Sequence, residues 1–244
     1  MREVCPLQYS FKRKETKYRI TESQAATLER LLVQQMIVDR GKPYYIQSVY
    51  FDTAGWDVIQ ESIEKPLYKE KLRLRFYGKN RDGAQGFLEL KKKFDGMVYK
   101  RRIALPLHEL TSNSIREIVA ADPTQIGREL DFYLQRHTVS EKIHISYQRT
   151  AYITDASSRL RVTLDRDVQY RLDDLGGQSP HGGQPILAPN QVLLEIKTTE
   201  AIPLWLSAAL CELQIFPVSF SKVGTCYTDH VFRQLEQKGA TKSA

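Results

Sequence analysis

The stretch Lys71-Leu72-Arg73-Leu74-Arg75-Phe76-Tyr77 alternates without a break. Lys71, Arg73, Arg75 and Tyr77 occupy the odd positions, and Leu72, Leu74 and Phe76 the even ones. Successive side chains on a β-strand point to opposite faces, so the segment reads as a strand with one basic and one apolar face. The pattern recurs outward from it. Phe87 to Lys93 sets Glu89, Lys91 and Lys93 against Leu88 and Leu90. Further polar-face sets are Lys100 and Arg102, then Tyr147 and Arg149, then Arg161, Thr163, Asp165 and Asp167, and last Glu195 and Lys197. A one-sided sheet in water also has a charged face. Such a face mixes Ser, Thr, Gln and both charge signs, however, whereas Arg and Lys recur here with only a few placed carboxylates.

The rest of the chain supplies the frame. Tyr9 to Ile20 reads as a strand that runs into Thr21-Glu22-Ser23-Gln24, a capping-box pattern opening a helix with Leu28, Leu31, Leu32 and Met36 on one face. Tyr45 to Phe51, Leu72 to Tyr77, Gly86 to Lys92 and Met97 to Leu105 read as antiparallel strands, with turns at Lys79-Asn80-Arg81-Asp82-Gly83 and Asp95-Gly96. Helical patterns follow at Leu107 to Ala120 and Thr124 to His137, then strands at Lys142 to Thr154, Leu160 to Tyr170 and Gln191 to Thr198. Asp173 to Asn190 holds four glycines and three prolines and reads as a long mobile loop. Pro203 opens a helix, and another follows Cys226. The expected fold is α+β: a single domain over residues 1–244, built as a closed antiparallel eight-stranded β-barrel tunnel decorated by α-helices. In a closed barrel with its apolar face under the helices, the basic face turns inward.

Composition narrows the function. The formal net charge is +7 with 41% hydrophobic residues, so the positive surplus sits on an ordered surface or cavity and calls for a partner of concentrated negative charge. No window approaches the roughly 20 apolar residues that span a bilayer, and the chain reads as cytoplasmic. Cys5, Cys211 and Cys226 lack zinc or disulfide spacing, and the five histidines form no HExxH-like cluster. Nucleic acid is disfavoured, because the basic residues alternate within strands and no RNA-recognition signature is present.

Cations confined inside a barrel repel strongly unless a polyanion is present. Arginine binds phosphate oxygens with a planar fork and lysine adds point charge. The inward carboxylates Glu195, Glu89 and Glu15 would oppose a bare phosphate chain, but they can hold a hard divalent cation that bridges phosphate oxygens. For Asp165 and Asp167 the favoured role is instead an ion pair that orients a neighbouring arginine. Bases with a few acids thus point to phosphoryl transfer with Mn²⁺ or Mg²⁺.

Seven segments in order carry a family resemblance: Arg13-Lys14-Glu15-Thr16-Lys17-Tyr18, Ser48-Val49-Tyr50-Phe51-Asp52-Thr53, Lys71 to Gly78, Leu88-Glu89-Leu90-Lys91, Tyr147 to Tyr152, Leu194-Glu195-Ile196-Lys197 and Phe220-Ser221-Lys222. Over about Phe11 to Phe232 the chain resembles the catalytic domain of the vacuolar transporter chaperone (VTC) family, polyphosphate polymerases within the CYTH-like triphosphate tunnel metalloenzyme superfamily. The resemblance implies that Lys17, Arg73, Arg75, Lys91, Lys100, Arg149, Arg161 and Lys222 contact phosphates. It implies assistance from Tyr147 and Ser221, and a metal on Glu195. Lys197, Arg102 and Lys93 join the substrate-binding set through their strand faces. The implied reaction moves the ATP γ-phosphate to a polyphosphate end and releases ADP, so the partners are ATP and inorganic polyphosphate or orthophosphate.

Two departures qualify the match. The superfamily's alternating glutamates near the N-terminus are reduced to Glu15-x-Lys17, with Arg13 where another glutamate often stands. A weaker second metal site tilts the reading away from hydrolysis by activated water. The membrane helices and inositol-phosphate-sensing domain of eukaryotic relatives have no counterpart in the match, and no membrane-protein partner is indicated. The competing expectations are an inorganic triphosphatase or polyphosphatase on the same fold, and a non-catalytic polyphosphate-binding domain.

Overall fold

The computed structural model describes residues 14–79, 85–95, 97–107, 112–154, 159–172 and 183–233. Its strands are β1 (Lys14–Thr21), β2 (Ile37–Val38), β3 (Tyr44–Asp52), β4 (Tyr68–Tyr77), β5 (Gln85–Phe94), β6 (Met97–Pro106), β7 (Ser140–Ile153), β8 (Leu160–Arg171), β9 (Gln184–Pro185) and β10 (Gln191–Thr198). The helices are α1 (Glu22–Gln35), α2 (Asp57–Ile63), α3 (Ser112–Ala121), α4 (Gln125–Arg136), α5 (Leu204–Glu212) and α6 (Lys222–Cys226). A π-helical segment, Tyr227–Phe232, continues from α6.

Eight strands form one antiparallel path, β1-β10-β8-β7-β3-β4-β5-β6, with β2 added on β7 and β9 on β8. The α+β class and the run of eight strands agree with the sequence. Closure does not: among the described residues no pairing joins β1 to β6, and the sheet is not closed into the expected barrel. It curves instead, so that residues of β1, β4, β5, β7 and β10 line one shared cavity.

Registers place the alternating residues. Lys71, Arg73 and Arg75 stand opposite Lys91, Glu89 and Phe87, and opposite residues of an antiparallel pair share a face. The same logic puts Tyr50 and Ser48 of β3 beside Arg73 and Arg75, and Lys17 of β1 beside Glu195 of β10, all on the concave side. The convex side is apolar and carries two helical layers. Leu28 and Leu32 of α1, with Leu206 and Leu210 of α5, cover Tyr18, Leu164 and Leu194. Ile115 of α3, with Leu130 and Tyr133 of α4, covers Leu72, Leu74 and Leu88. The capping box is present, with Thr21 accepting from the Gln24 amide and Gln24 bonding back to the Thr21 amide. Thr124 caps α4 in the same way through the Gly127 amide.

Part of the concave side differs from the expected charged interior. Ile46, Ile143, Ile145 and Leu193 stand there, and α2, α6 and the π-helical segment pack on them through Ile59, Val223, Cys226 and Val231. This third apolar layer fixes the C-terminal segment inside the curve. Asp167 also departs from its expected face. A register shift between Ser146 and Gln148 leaves it exposed at φ 50°, out of line with Asp165. Neither α2 nor β2 is evident from sequence periodicity. Helix α2 is capped by a carboxylate from the end of β3: buried Asp52 accepts from the Val58 and Ile59 amides at 3.0 and 2.9 Å.

Several sequence-based expectations lie outside the described residues: Tyr9 to Arg13 of the first strand, Cys5, residues 80–83 and Gly96 of the turns, residues 108–111, and residues 173–182 of the long loop. The described remainder of that loop is not a free surface connection. Gln184–Pro185 pairs with β8, and Ile186 and Leu187 are 9% and 8% exposed within the concave core. The reading of Asp173 to Asn190 as one long loop is therefore corrected for residues 183–190. Ile186→Ala or Leu187→Ala should each lower unfolding free energy by about 2–4 kcal/mol in urea titrations, and an effect near zero would place these side chains outside the core.

Candidate active site

The concave side holds a cavity of about 940 Å³. Twelve Lys and Arg residues line it against three carboxylates, a formal surplus of nine positive charges. The whole chain carries +7, so the residues outside the cavity are net acidic by about two. The basic balance of the sequence is thus a property of this one surface.

Two clusters organise the charges. In the first, Glu195 of β10 is 5% exposed and surrounded by Lys197 Nζ at 3.1 Å, Lys222 Nζ at 3.1 Å, Arg149 Nη2 at 3.3 Å and Lys17 Nζ at 4.0 Å. Burial alone would raise its pKa, but Lys222, Lys197 and Arg149 outweigh burial and hold it well below the ordinary carboxylate range. Asp165 of β8 orients this group from behind. Arg149 Nε and Nη2 donate to its two oxygens at 2.6 Å each, and Lys222 Nζ lies 2.6 Å away. Glu15 joins through Lys17 at 3.3 Å and Lys197 at 3.7 Å. Burial raises its pKa, but Lys197 and Lys17 prevail over both burial and the repulsion of Glu195, bringing it to about 2.

The second cluster centres on Glu89 of β5, which is 1% exposed. Arg73 Nη2 reaches it at 2.7 Å and Lys100 Nζ at 2.5 Å. Burial would raise Glu89, but Arg73, Arg75 and Lys100 bring it to about 2. Arg75 itself donates to Ser48 Oγ at 3.3 Å and to the Tyr147 hydroxyl at 3.2 Å. Tyr147 lies beneath Lys222, whose Nζ is 4.5 Å from the ring centroid.

The C-terminal segment delivers two members. Lys17 Nζ donates to the Phe220 carbonyl at 3.0 Å, and the Val218 amide donates to the Lys17 carbonyl at 2.7 Å, which ties the segment to β1. Ser221 then caps α6 through the Gly224 amide at 3.2 Å, and Lys222, the first helical residue, points at Glu195.

Of the sequence candidates, the cavity wall includes Glu15, Lys17, Arg73, Arg75, Lys91 and Lys93 from the first five strands, and Tyr147, Arg149, Glu195, Lys197, Ser221 and Lys222 beyond. Glu89, Lys100, Arg102 and Arg161 are not on that wall. Glu89 and Lys100 support it through Arg73. Arg102 lies over the Phe87 ring at 4.9 Å, and Arg161 binds Asp39 at 2.6 Å and the Tyr44 hydroxyl at 3.2 Å. The wall also contains Lys71, Lys69 and Tyr50, which were not among the candidates. The alternation already placed Lys71 beside Arg73; Tyr50 emerges only from the β3–β4 register.

Lys71 and Tyr50 record the field. Burial lowers the Lys71 pKa, Tyr50 counteracts it, and the neighbouring Lys69, Lys91 and Lys17 press it down further, to about 8. Burial would raise Tyr50, yet Arg73 and Arg75 bring its phenol down to about 8. A polyanion in the cavity should reverse both shifts. Tyrosinate absorbance should therefore show one ionisation near pH 8 that disappears in Tyr50→Phe and moves upward with tripolyphosphate. If every tyrosine titrates at its ordinary value of about 10, the wall lacks this field.

The sequence model of the VTC domain family matches residues 12–229. No curated protein matches the chain. Among solved structures, the adenylyl-cyclase candidate HpAC1 from Hippeastrum, which shows a dominant triphosphatase activity, is 19% identical with a TM-score of 0.56, covering 88% of this chain and 95% of its own. The PH1819 protein from Pyrococcus horikoshii OT3 is 13% identical with a TM-score of 0.51, covering 89% and 99%. Both share the fold.

Proposed function

The chain belongs to the VTC domain family, and from that premise we propose that it is a polyphosphate polymerase, moving the γ-phosphate of ATP onto the end of an inorganic polyphosphate chain. The observation that carries this reading is a cavity with nine surplus positive charges in which the carboxylates of Glu15 and Glu195 are poor bases. A general base works best with a pKa near the operating pH. Glu15 at about 2, and Glu195 well below its ordinary value, are ill suited to take a proton from water. A polyphosphate end needs no such help, because its terminal oxygen is already anionic. That oxygen attacks the γ-phosphorus, the bond to the β–γ bridging oxygen breaks, and ADP leaves with the bond's electron pair. In this reading Lys17, Arg73, Arg75, Lys91, Arg149 and Lys222 hold and neutralise phosphate oxygens, with Lys93, Lys197, Tyr147 and Ser221 beside them. Lys100, Arg102 and Arg161 act from outside the wall.

A divalent cation fits part of this site. Among the described residues no three His, Cys, Asp or Glu side chains gather closely enough to cage one. Glu195 and Glu15, which share Lys197, suit an ion such as Mg²⁺ or Mn²⁺ that takes its remaining ligands from phosphate oxygens and water. Glu89, which is off the cavity wall and held by Arg73 and Lys100, does not suit one. When bound, the ion would offset charge on the transferring phosphoryl group. Phosphate oxygens that draw Lys197 and Lys222 away from Glu195 leave its oxygens free for that ion.

Purified protein incubated with γ-labelled ATP and Mn²⁺, with or without a short polyphosphate primer, should yield a ladder of labelled polymer. Glu195→Ala should reduce the ladder about 10–100-fold while polyphosphate binding is kept or strengthened, because one repelling carboxylate is gone. Orthophosphate as the only product would replace this reading with a hydrolase, and binding without turnover would replace it with a binder. Arg75→Ala should cost about 10²–10³ in rate, as loss of one aimed donor does, against little change for Lys42→Ala on the exposed surface; equal small effects would remove Arg75 from the reacting centre.

A further inference from the structure

At the end of the sheet where β4 begins and β5 turns into β6, large apolar side chains stand in water. Leu67 is 64% exposed, Phe94 47% and Met97 43%, and Ile63, Tyr68 and Val98 are exposed beside them in the chain. They form a connected set. Tyr68 stands opposite Phe94 and Phe94 opposite Met97, while the Asp95 amide donates to the Leu67 carbonyl at 3.0 Å and ties the hairpin tip to the loop before β4. Isolated exposed apolar residues need no explanation, whereas an adjoining group marks an interaction surface.

Lysines stand at the same end of the sheet, those of the strands on the opposite face from Tyr68, Phe94 and Met97. Lys65, Lys69 and Lys93 come from the same loop and strand ends and line the adjoining cavity wall, with Lys69 directly opposite Lys93. Burial, then Lys93 and Lys65, lower the Lys69 pKa, so these ammonium groups repel one another. The acidic residues here are Glu64, Asp95 and Glu70, the last accepting from the Tyr68 hydroxyl and paired with Lys92.

We propose that this end of the protein docks on the surface of an anionic lipid bilayer, with Leu67, Phe94 and Met97 entering the headgroup–acyl boundary and Lys65, Lys69 and Lys93 meeting lipid phosphates. The form of the patch favours a bilayer over a protein. Leu67, Phe94 and Met97 sit on a loop and a hairpin end, and lysine is depleted at the centre of protein interfaces. Apolar side chains flanked by lysine are the arrangement that interfacial membrane binding uses. Among the described residues no helix is long and apolar enough to cross a membrane, so docking here is to the surface.

Co-sedimentation of the full chain with vesicles, in the absence of ATP, tests this independently of the polymerase reading. The protein should sediment with phosphatidylcholine vesicles containing phosphatidylserine, only weakly with phosphatidylcholine alone, and less as salt rises. The double variant Phe94→Asp/Met97→Asp should lower partitioning about tenfold or more while tripolyphosphate binding by calorimetry is unchanged, and Leu204→Asp, at an exposed residue of α5, should partition as the parent does. The proposal fails if the parent does not sediment with anionic vesicles, or if the double variant sediments equally. It also fails if Arg75→Ala alone abolishes sedimentation, which would place the lipid headgroups inside the cavity. Concentration-dependent self-association that the double variant removes, without vesicle binding, would assign the patch to a second copy of the chain.

Discussion

Like-charge repulsion across a curved sheet is the constraint around which this molecule is organised. Twelve cations share one wall, and the fold has to hold them together before any ligand arrives. It does so with carboxylates placed at intervals. Glu195 is shared among four cations, Asp165 grips Arg149 and Lys222 from beneath, and Glu89 secures Arg73 and Lys100. Buried carboxylates in such company stay ionised far below their ordinary range, since losing the charge would leave several cations unopposed. The neutralisation is incomplete. Lys71 and Tyr50, with pKa values near 8, show that substantial positive potential remains at the cavity's centre.

The apolar layers serve that electrostatic arrangement. On the convex side, α1 and α5 cover β1, β8 and β10, and α3 and α4 cover β3, β4 and β5, which leaves the other face of the sheet to the cavity. On the concave side, Ile46, Ile145 and Leu193 receive α6, and its first residue, Lys222, is thereby carried to Glu195. Hydrophobic burial here positions a charge that the sheet alone cannot supply. Ser221 fixes the start of α6, and Lys17 fixes the segment leading to it.

Much of this was legible in the sequence, because strand alternation is a local signal. Lys71 to Tyr77 declares its two faces from seven residues, and the capping pattern at Thr21 to Gln24 declares a helix start. What escaped the sequence is what depends on pairing between distant segments. Tyr50 enters the site through its register with Arg73, and Asp167 leaves its expected face through a bulge formed against β7. Arg161 and Arg102 show the same limit from the other side. Their strand parity is right, but Asp39, Tyr44 and Phe87 hold them away from the cavity wall. Closure of the sheet is likewise a matter of how its two edges meet, and no alternation encodes it.

The distribution of charge also bears on how a polyanion reaches the site. With nine surplus positive charges on the cavity wall and a slightly acidic remainder, the field points into one opening instead of spreading over the surface. A long phosphate chain meets few competing cationic surfaces outside, and the part already bound screens the wall for the part that follows. Cations shared with Glu195 differ in kind from those near Lys71: the former must exchange a carboxylate for a phosphate, while the latter gain a partner with nothing to give up. Ligand charge should therefore settle first around Lys71 and Lys91, and engage Lys222, Lys197 and Arg149 only when it brings enough negative charge to compete with Glu195. Such a wall favours polyphosphates over single phosphates by its wiring alone, since one orthophosphate satisfies the open group and a chain satisfies both.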